Sequence, residues 1–412
     1  MQHAPNSAPA GERIAVVDVL RAVALLGIII THCAQGYLAS RPPKPGIMTL
    51  TAIDGVVANL VMLFAVGKFF TVFSFLFGLS FALQMSSAAQ KGAAFTGRFT
   101  WRLVVLGLIA IVHNLFYAGD ILIIYVFLGF LLIPFRAFNT RVLLVLALVL
   151  VLNVPGLIMG WRGLGAPPPT PAQQQQVAQQ QAQSAQDARR QYDIKKSGSP
   201  GEIMRLNLTE GLEGKFIFQV VSGRLWMTFG LFLLGLCAGR MEIFRDSDAH
   251  RAFFRRLMWG AGAVATATTL IMVFRPVGFQ VNSPADLMAS FSRTVQQAAL
   301  SAFYVAVVAL LYWRNPARGL LARLAPVGKM GLTVYLTQTM FGVLLFYGFG
   351  FGMVGEIGVA PAVALGILFF VAQVLVARWW MSVFSMGPVE WLWRSLTYFR
   401  LQPNARGAMK PA

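Results

Sequence analysis

Apolar residues in this chain come in long blocks rather than in the period-two alternation of half-buried strands. The run from Val142 to Val154 is apolar at every position but Asn153, and similar blocks recur from Val19 to Phe384. A helix needs about 20 such residues to cross the hydrocarbon of a bilayer. Helical blocks of that kind cover 14–37, 55–86, 99–117, 119–135, 141–160, 217–240, 253–275, 290–313, 328–352 and 359–384, about ten spans. Lipid offers no partners for open backbone groups, and a barrel would show short alternating strands instead. The expected fold class is therefore all-α, a polytopic transmembrane helical bundle.

Polar segments set the organisation. A tail (1–13) precedes a first set of spanning helices (14–160). A long segment, 161–215, follows, with Pro167-Pro168-Pro169, glutamines at 173–176 and a Gln/Ala stretch ending in Arg189-Arg190. It reads as a proline-rich stalk and a polar helix: either an irregular loop or a lid over a site on the outer face. A second set of spanning helices (216–385) leads to 386–412, where Pro388 starts a helix with Glu390 and Arg394 four apart, suited to the membrane interface. No internal repeat and no matched pair of short Gly/Pro-broken helices is evident.

Composition agrees with this reading. The 412 residues are 57% hydrophobic and only 12% charged, where a soluble domain carries about a quarter charged residues. The net charge of +19 would in a soluble protein suggest nucleic acid. Here the positive residues fall on one set of connections: Lys91, Arg98 and Arg102; Arg136 and Arg141; Arg240, Arg245, Arg251, Arg255 and Arg256; Arg314, Arg318, Arg323 and Lys329; Arg394, Arg400, Arg406 and Lys410. Arg41 and Lys44 are the main exceptions on the other set, whose turns at 118–120 and 352–358 carry only acidic charge. That asymmetry predicts an even number of spans with both termini cytoplasmic, the lipid bilayer as the main partner and no nucleic acid. Leu38-Ala39-Ser40 loosely resembles a signal cleavage site, but Asp18 stands where a signal is positively charged, so an uncleaved first helix is expected. Cys33 and Cys237 fall in opposite leaflets and do not form a pair.

Ionisable groups are costly in a bilayer and normally face the bundle interior, so each marks a candidate site. Asp18 and Arg21 share one face of the first helix and can pair. Arg21 and His32 are separated by about 16 Å of helix and point to nearly the same side. His113 near the end of the third span, Asp120 just beyond the Gly119 turn, and His32 all fall in the outer half of the membrane. A neutral imidazole can accept an alcohol proton, and a carboxylate on its other nitrogen fixes the tautomer. Two other roles stay open: Asp120 as an N-cap of the fourth span, and His113 bonded to a carbonyl across the bundle. Lys68 lies near mid-membrane and needs an anion, a carboxylate or water. Tyr125, Gln296, Gln297, Tyr335, Gln338 and Gln373 can hydrogen-bond between helices. No metal-ligand motif, phosphate loop or serine elbow is present.

The same residues carry a resemblance. Arg13-Ile14-x-x-x-Asp18-x-Leu20-Arg21-Ala22-x-Ala24-x-x-Gly27-Ile28 resembles the N-terminal signature of YeiB-like membrane proteins, domain of unknown function 418. Lys68-Phe69, Phe73-Ser74-x-Leu76-Phe77-Gly78, His113-Asn114-Leu115, Gly119-Asp120-Ile121-Leu122 and Tyr125 resemble the family's middle block. Gly328-Lys329-Met330-Gly331-Leu332-Thr333-x-Tyr335-Leu336-x-Gln338 and Gly387-Pro388-x-Glu390-Trp391-Leu392-Trp393-Arg394-x-Leu396-Thr397-Tyr398 resemble its C-terminal block. The family resembles transmembrane acyltransferases, and Arg21 with His32 resembles the arginine and histidine motif of acyltransferase-3 proteins. Family members commonly have Arg-Gly where this chain has Arg21-Ala22, and often asparagine where it has His32.

The resemblance implies a bacterial inner-membrane, multi-pass acyltransferase that takes an acyl group, acetyl above all, from cytoplasmic acyl-CoA (acetyl-CoA). The acceptor would be a hydroxyl or amine of an extracytoplasmic glycan or small molecule. In that scheme His113 or His32 is the catalytic base and Asp120 its orienting acid. Arg21 and Lys68 bind the donor, the Arg251, Arg255 and Arg256 loops hold its phosphates, and Tyr125, Tyr335 and Gln338 line the acceptor site. No metal is expected, and the sequence leaves a homo-oligomer open. A proton-coupled transporter using the buried His and Asp residues is the alternative, and a noncatalytic scaffold a third reading.

Overall fold

Because each apolar block must satisfy its own backbone, the chain folds into helices. The structure, a computed structural model, describes residues 14–39, 51–92, 95–164, 170–274, 283–315 and 319–406. The N-terminal tail, Arg41, Lys44 and the triple proline lie outside these. The helices in chain order are α1 (Ala15–Ala34), α2 (Ala52–Phe64), α3 (Lys68–Gln90), α4 (Phe95–Phe116), α5 (Leu122–Phe135), α6 (Thr140–Val151), α7 (Val154–Gly163), α8 (Pro171–Ser197), α9 (Pro200–Leu206), α10 (Leu212–Val221), α11 (Arg224–Arg240), α12 (Asp248–Val273), α13 (Pro284–Arg314), α14 (Ala325–Lys329), α15 (Gly331–Phe346), α16 (Val359–Val383) and α17 (Pro388–Tyr398).

Among the described residues six units are long and apolar enough to cross a membrane, or eight if each bent helix pair is one span. Two shorter apolar helices, α5 and α15, lie within two further segments that the sequence marks as apolar. The protein is an all-α, multi-pass membrane bundle. Helix α1 is its centre: Val19, Leu20, Ala22, Ala24, Leu25 and Ile29 are all buried. Around it α3, α13 and α14 to α16 pack closely. Helices α3 and α11 approach so closely that a Cβ on Gly78 would sit 1.9 Å from the Phe232 carbonyl oxygen, and one on Gly235 2.0 Å from that of Phe75. Small residues allow such contact between membrane helices, where dispersion replaces hydrophobic drive.

Contrary to the sequence reading, several spans are broken. The block expected as one helix over 55–86 is interrupted at Gly67, which has φ +86°. Helices α6 and α7 bend by 44° at Asn153, and α9–α10 meet α11 at 73° at Gly223. Asn153 and Gly223 both have positive φ, and the Asn153 amide packs against Gly223. A break in a bilayer frees carbonyls that need donors. At the Gly67 break, Lys68 Nζ donates to the Met62 carbonyl (3.3 Å), Gln296 Nε2 to that of Leu63 (3.0 Å) and Tyr304 Oη to that of Phe64 (2.9 Å).

Segment 161–215 also departs from expectation in its second half. Its polar helix exists as α8, started by a Thr170–Gln173 capping box. Beyond it, α9, a π turn at Asn207–Gly211 and α10 form a layer whose Ile203, Leu206, Asn207, Lys215 and Gln219 are buried. Lys195 Nζ donates to the Leu38 carbonyl (3.1 Å), Gly348 N to the Lys195 carbonyl (2.9 Å), Lys196 pairs with Glu356, and Arg190 with Glu210 (2.5 Å). This layer closes the end of the bundle that carries the C-terminus of α1.

At the opposite end, α17 does not use Glu390 to pair with Arg394. The Glu390 carboxylate accepts from Leu332 N (2.6 Å), Thr333 N (3.1 Å) and Thr333 Oγ1 (2.6 Å), satisfying the orphan donors at the start of α15. Arg394 lies over the Tyr398 ring instead. Glu390→Ala should lower unfolding stability by about 2 kcal/mol, because charged hydrogen bonds are each worth roughly 1.5–3. A thermal melt in detergent checks this, and an unchanged midpoint would show that the cap is idle.

Candidate active site

Helix α5 is short, so the turn from α4 to α5 lies within the bundle, beneath the α9–α10 layer. Two side chains define it. His113, 7% exposed, lies in the last turn of α4, and Asp120, 2% exposed, precedes α5. His113 Nδ1 and Asp120 Oδ1 are 2.9 Å apart. Asp120 also accepts from Leu122 N (3.0 Å) and Ile123 N (3.3 Å). The two roles left open by the sequence are thus combined: one carboxylate caps a helix and holds an imidazole. An ionised carboxylate only accepts, so Nδ1 carries the proton and Nε2 of the neutral ring presents its lone pair. Nε2 is buried and has no hydrogen-bond partner among the described residues.

Three further groups complete the carboxylate's surroundings. Tyr335 Oη donates to Asp120 Oδ1 at 3.3 Å, and its ring lies 5.2 Å from that of His113. Lys215 reaches in from α10, with Nζ 3.9 Å from Asp120 Oδ2 and 2.5 Å from Asn114 Oδ1. Asn114 Nδ2 donates to the Asn207 carbonyl (3.1 Å), and Asn207 Nδ2 donates to that of Leu115 (2.9 Å). The covering layer is therefore bolted to α4 by reciprocal amide bonds and supplies the cation that balances Asp120. Buried charge without a partner is expensive, so Lys215→Met should destabilise the fold by roughly 3 kcal/mol, with Lys215→Arg recovering part of the loss. Thermal unfolding in nanodiscs measures it; equal midpoints for all three chains would remove Lys215 from the account.

The other candidate residues separate. His32 is half-buried, with its ring 5.3 Å from those of both Tyr37 and Tyr117. Tyr117 in turn lies 6.3 Å from the His113 ring, so it stands between the two histidines. Tyr125 Oη shares a 2.8 Å hydrogen bond with Ser74 and donates to the Phe70 carbonyl (3.1 Å). Gln338 Nε2 donates to Gln373 Oε1 (3.1 Å), while its main-chain carbonyl accepts from Tyr37 Oη (2.8 Å). Arg21 lies at the other end of α1, bound to Asp18 Oδ1 (2.5 Å) and Ser80 Oγ (2.7 Å). Lys68 is placed at the Gly67 break and reaches a carbonyl, not the acid of the dyad. Cys33 and Cys237 are both free and buried. Lys215, Asn114, Asn207 and Tyr117 were not among the sequence candidates; a lysine inside the apolar stretch 212–221 was the signal available for the first.

Comparison with known proteins places this chain in a family. The uncharacterized protein YxaH of Bacillus subtilis (strain 168) is 30% identical over 96% of each chain. The chain belongs to the DUF418 family. The model of that family, described as a protein of unknown function, matches residues 238–400. YeiB of Escherichia coli (strain K12), also uncharacterized, is 28% identical over 94% of this chain and 96% of its own. An uncharacterized 39.9 kDa protein in the amylase 3' region of Bacillus acidopullulyticus is 26% identical over 95% and 96%. No solved structure matches the chain significantly. The DUF418 match includes Tyr335, Gln338 and Glu390, whereas His113 and Asp120 lie in the half that only the full-length relatives span.

Proposed function

We propose that this DUF418 protein is a bacterial inner-membrane acyltransferase that moves an acetyl group from cytoplasmic acetyl-CoA to a hydroxyl or amine of an extracytoplasmic glycan or small molecule. The observation that carries the reading is the His113–Asp120 dyad, with Nδ1 held and Nε2 buried and without a hydrogen-bond partner among the described residues. Positive residues gather at the end of the bundle where α1 begins, which supports a cytoplasmic assignment for that end and an acceptor role for the dyad's end. Arg251, Arg255 and Arg314 line a groove at the same end as Arg21, where the donor's phosphates find cations.

The acceptor O–H donates to His113 Nε2. As its oxygen attacks the thioester carbonyl, the proton passes to Nε2, and Asp120 stabilises the imidazolium. Collapse of the tetrahedral intermediate breaks the C–S bond, and the imidazolium returns its proton to the leaving thiolate. Asp120→Asn removes both the tautomer control and the counter-charge. Acetyl transfer to a membrane-glycan extract should fall about 10²-fold or more with this variant. Undiminished transfer would show that the carboxylate only caps α5.

Broken spans favour a second reading, a proton-coupled transporter, since interrupted helices meeting inside a bundle commonly frame transport sites. Acceptor flux in sealed vesicles without thiol release would select it.

A further inference from the structure

At the end of the bundle opposite the dyad, α17 is joined to the first two turns of α4 by a reciprocal pair of indoles. Trp101 Nε1 donates to the Leu396 carbonyl (3.1 Å) and Trp393 Nε1 to the Arg102 carbonyl (2.9 Å), while the Trp101 ring stacks on that of Phe399 at 5.2 Å. Three guanidiniums converge on this contact. Arg102 lies 4.1 Å from the centre of the Trp393 ring, and Arg98 and Arg394, one from each helix, lie 5.4 and 5.7 Å from that of Tyr398. None of the three guanidiniums makes an ion pair or a hydrogen bond among the described residues. Other arginines at this end are matched: Arg251 holds Asp246 through two bonds (2.6 and 2.7 Å), and Arg245 pairs with Glu242 (2.8 Å).

Like charges drawn together across a helix contact repel unless an anion lies among them. The aromatic rings take up the flat faces of the guanidiniums, which leaves the forked N–H edges to grip an oxyanion. The surroundings point to its source. Leu392, Leu396 and Phe399, at i, i+4 and i+7, form an exposed apolar stripe along α17, and Leu401 beyond it is exposed too. An amphipathic helix with such a stripe, flanked by tryptophan and tyrosine, lies in the headgroup layer of a bilayer, where the abundant anion is a lipid phosphate. A zwitterionic headgroup brings its own ammonium, so three unmatched arginines favour an anionic one.

We propose that the junction of α4 and α17 binds the phosphate of an anionic phospholipid, gripped by Arg98, Arg102 and Arg394. The lipid clamps α4, which carries His113, to α17, whose Glu390 caps α15, the helix that brings Tyr335 to Asp120. The site shares no residue with the dyad or with the groove of Arg251, and it stands whether or not the protein transfers acyl groups.

The test is thermal unfolding of the full chain in detergent, titrated with phosphatidylglycerol, phosphatidylcholine or inorganic phosphate. Phosphatidylglycerol should raise the wild-type midpoint at concentrations where phosphatidylcholine does not. The double variant Arg98→Gln with Arg394→Gln should need about tenfold more phosphatidylglycerol for the same rise. Arg98→Lys with Arg394→Lys, which keeps the charges and loses the forks, should be several-fold weaker than the wild type and serves if the glutamine pair does not fold. Arg245→Gln, which removes a matched charge at the same end, should respond as the wild type does. Equal response of the wild type to both lipids, or a response to inorganic phosphate as large as that to phosphatidylglycerol, overturns the proposal. So does the same response in the wild type and both double variants, or an Arg245→Gln response as weak as that of the glutamine pair.

Discussion

His113→Ala should lower acetyl transfer by about 10²–10⁴-fold, the usual contribution of a positioned general base. The loss should fall on kcat, because the imidazole accepts its proton only as the new bond forms. Folding should survive: the removed ring leaves Asp120 with Leu122 N, Ile123 N, Tyr335 and Lys215 as partners. His113→Gln is informative beside it, since an amide can donate to Asp120 but cannot act as a base near neutral pH. His32→Ala should cost less than His113→Ala, because among the described residues no carboxylate is bonded to His32 to fix its tautomer or to stabilise its charged form. Turnover of purified protein at saturating and limiting acceptor separates the two effects, and equal losses in both histidine variants would contradict the assignment of the base.

Gly78→Ala should damage the fold at least as much as any substitution at the site. The added Cβ meets the Phe232 carbonyl oxygen at 1.9 Å, and what stands in the way is backbone rather than a side chain that can turn aside. Helices α3 and α11 must separate, which also strips the Phe77–Phe232 stack, whose ring centres are 4.4 Å apart. A cost of at least about 3 kcal/mol is expected, and Gly78→Leu should prevent folding. Gly97 in α4 provides the comparison: nothing lies within 4 Å of a Cβ there, and alanine should gain up to about 1 kcal/mol from helix propensity. Midpoints of thermal unfolding in detergent, measured on both variants, should move in opposite directions. A Gly78→Ala midpoint equal to the wild type would show that the two helices do not touch as described.

Much of this was legible because the bilayer restricts what apolar sequence can do. Continuous runs such as the one ending at Leu152 have no alternative to helix, and the charge asymmetry separates the two sets of connections. The pairing of His113 with Asp120 was legible for a local reason: the Gly119 turn is short, so seven residues bring the groups to one place. The breaks were not, because Asn153 and Gly67 sit inside apolar periodicity, and their freed carbonyls are satisfied by Lys68, Gln296 and Tyr304 from sequence-distant positions. The part played by Lys215 was hidden for a related reason. Segment 161–215 is polar enough at α8 to read as a loop, and only tertiary packing turns its second half inward onto Asn114. Glu390 shows the same limit: Arg394, four residues on, suggested a local pair, yet the start of α15 offers three donors and takes the carboxylate.

Acceptor-dependent thiol release from acetyl-CoA is the most direct test of the central claim. It would use purified protein in nanodiscs with a membrane-glycan extract, comparing wild type, His113→Ala and Asp120→Asn. The account predicts release by the wild type only when acceptor is present, and its loss in His113→Ala. A folded wild-type protein that releases no thiol from any acyl-CoA, or a His113→Ala variant as active as the wild type, would contradict it.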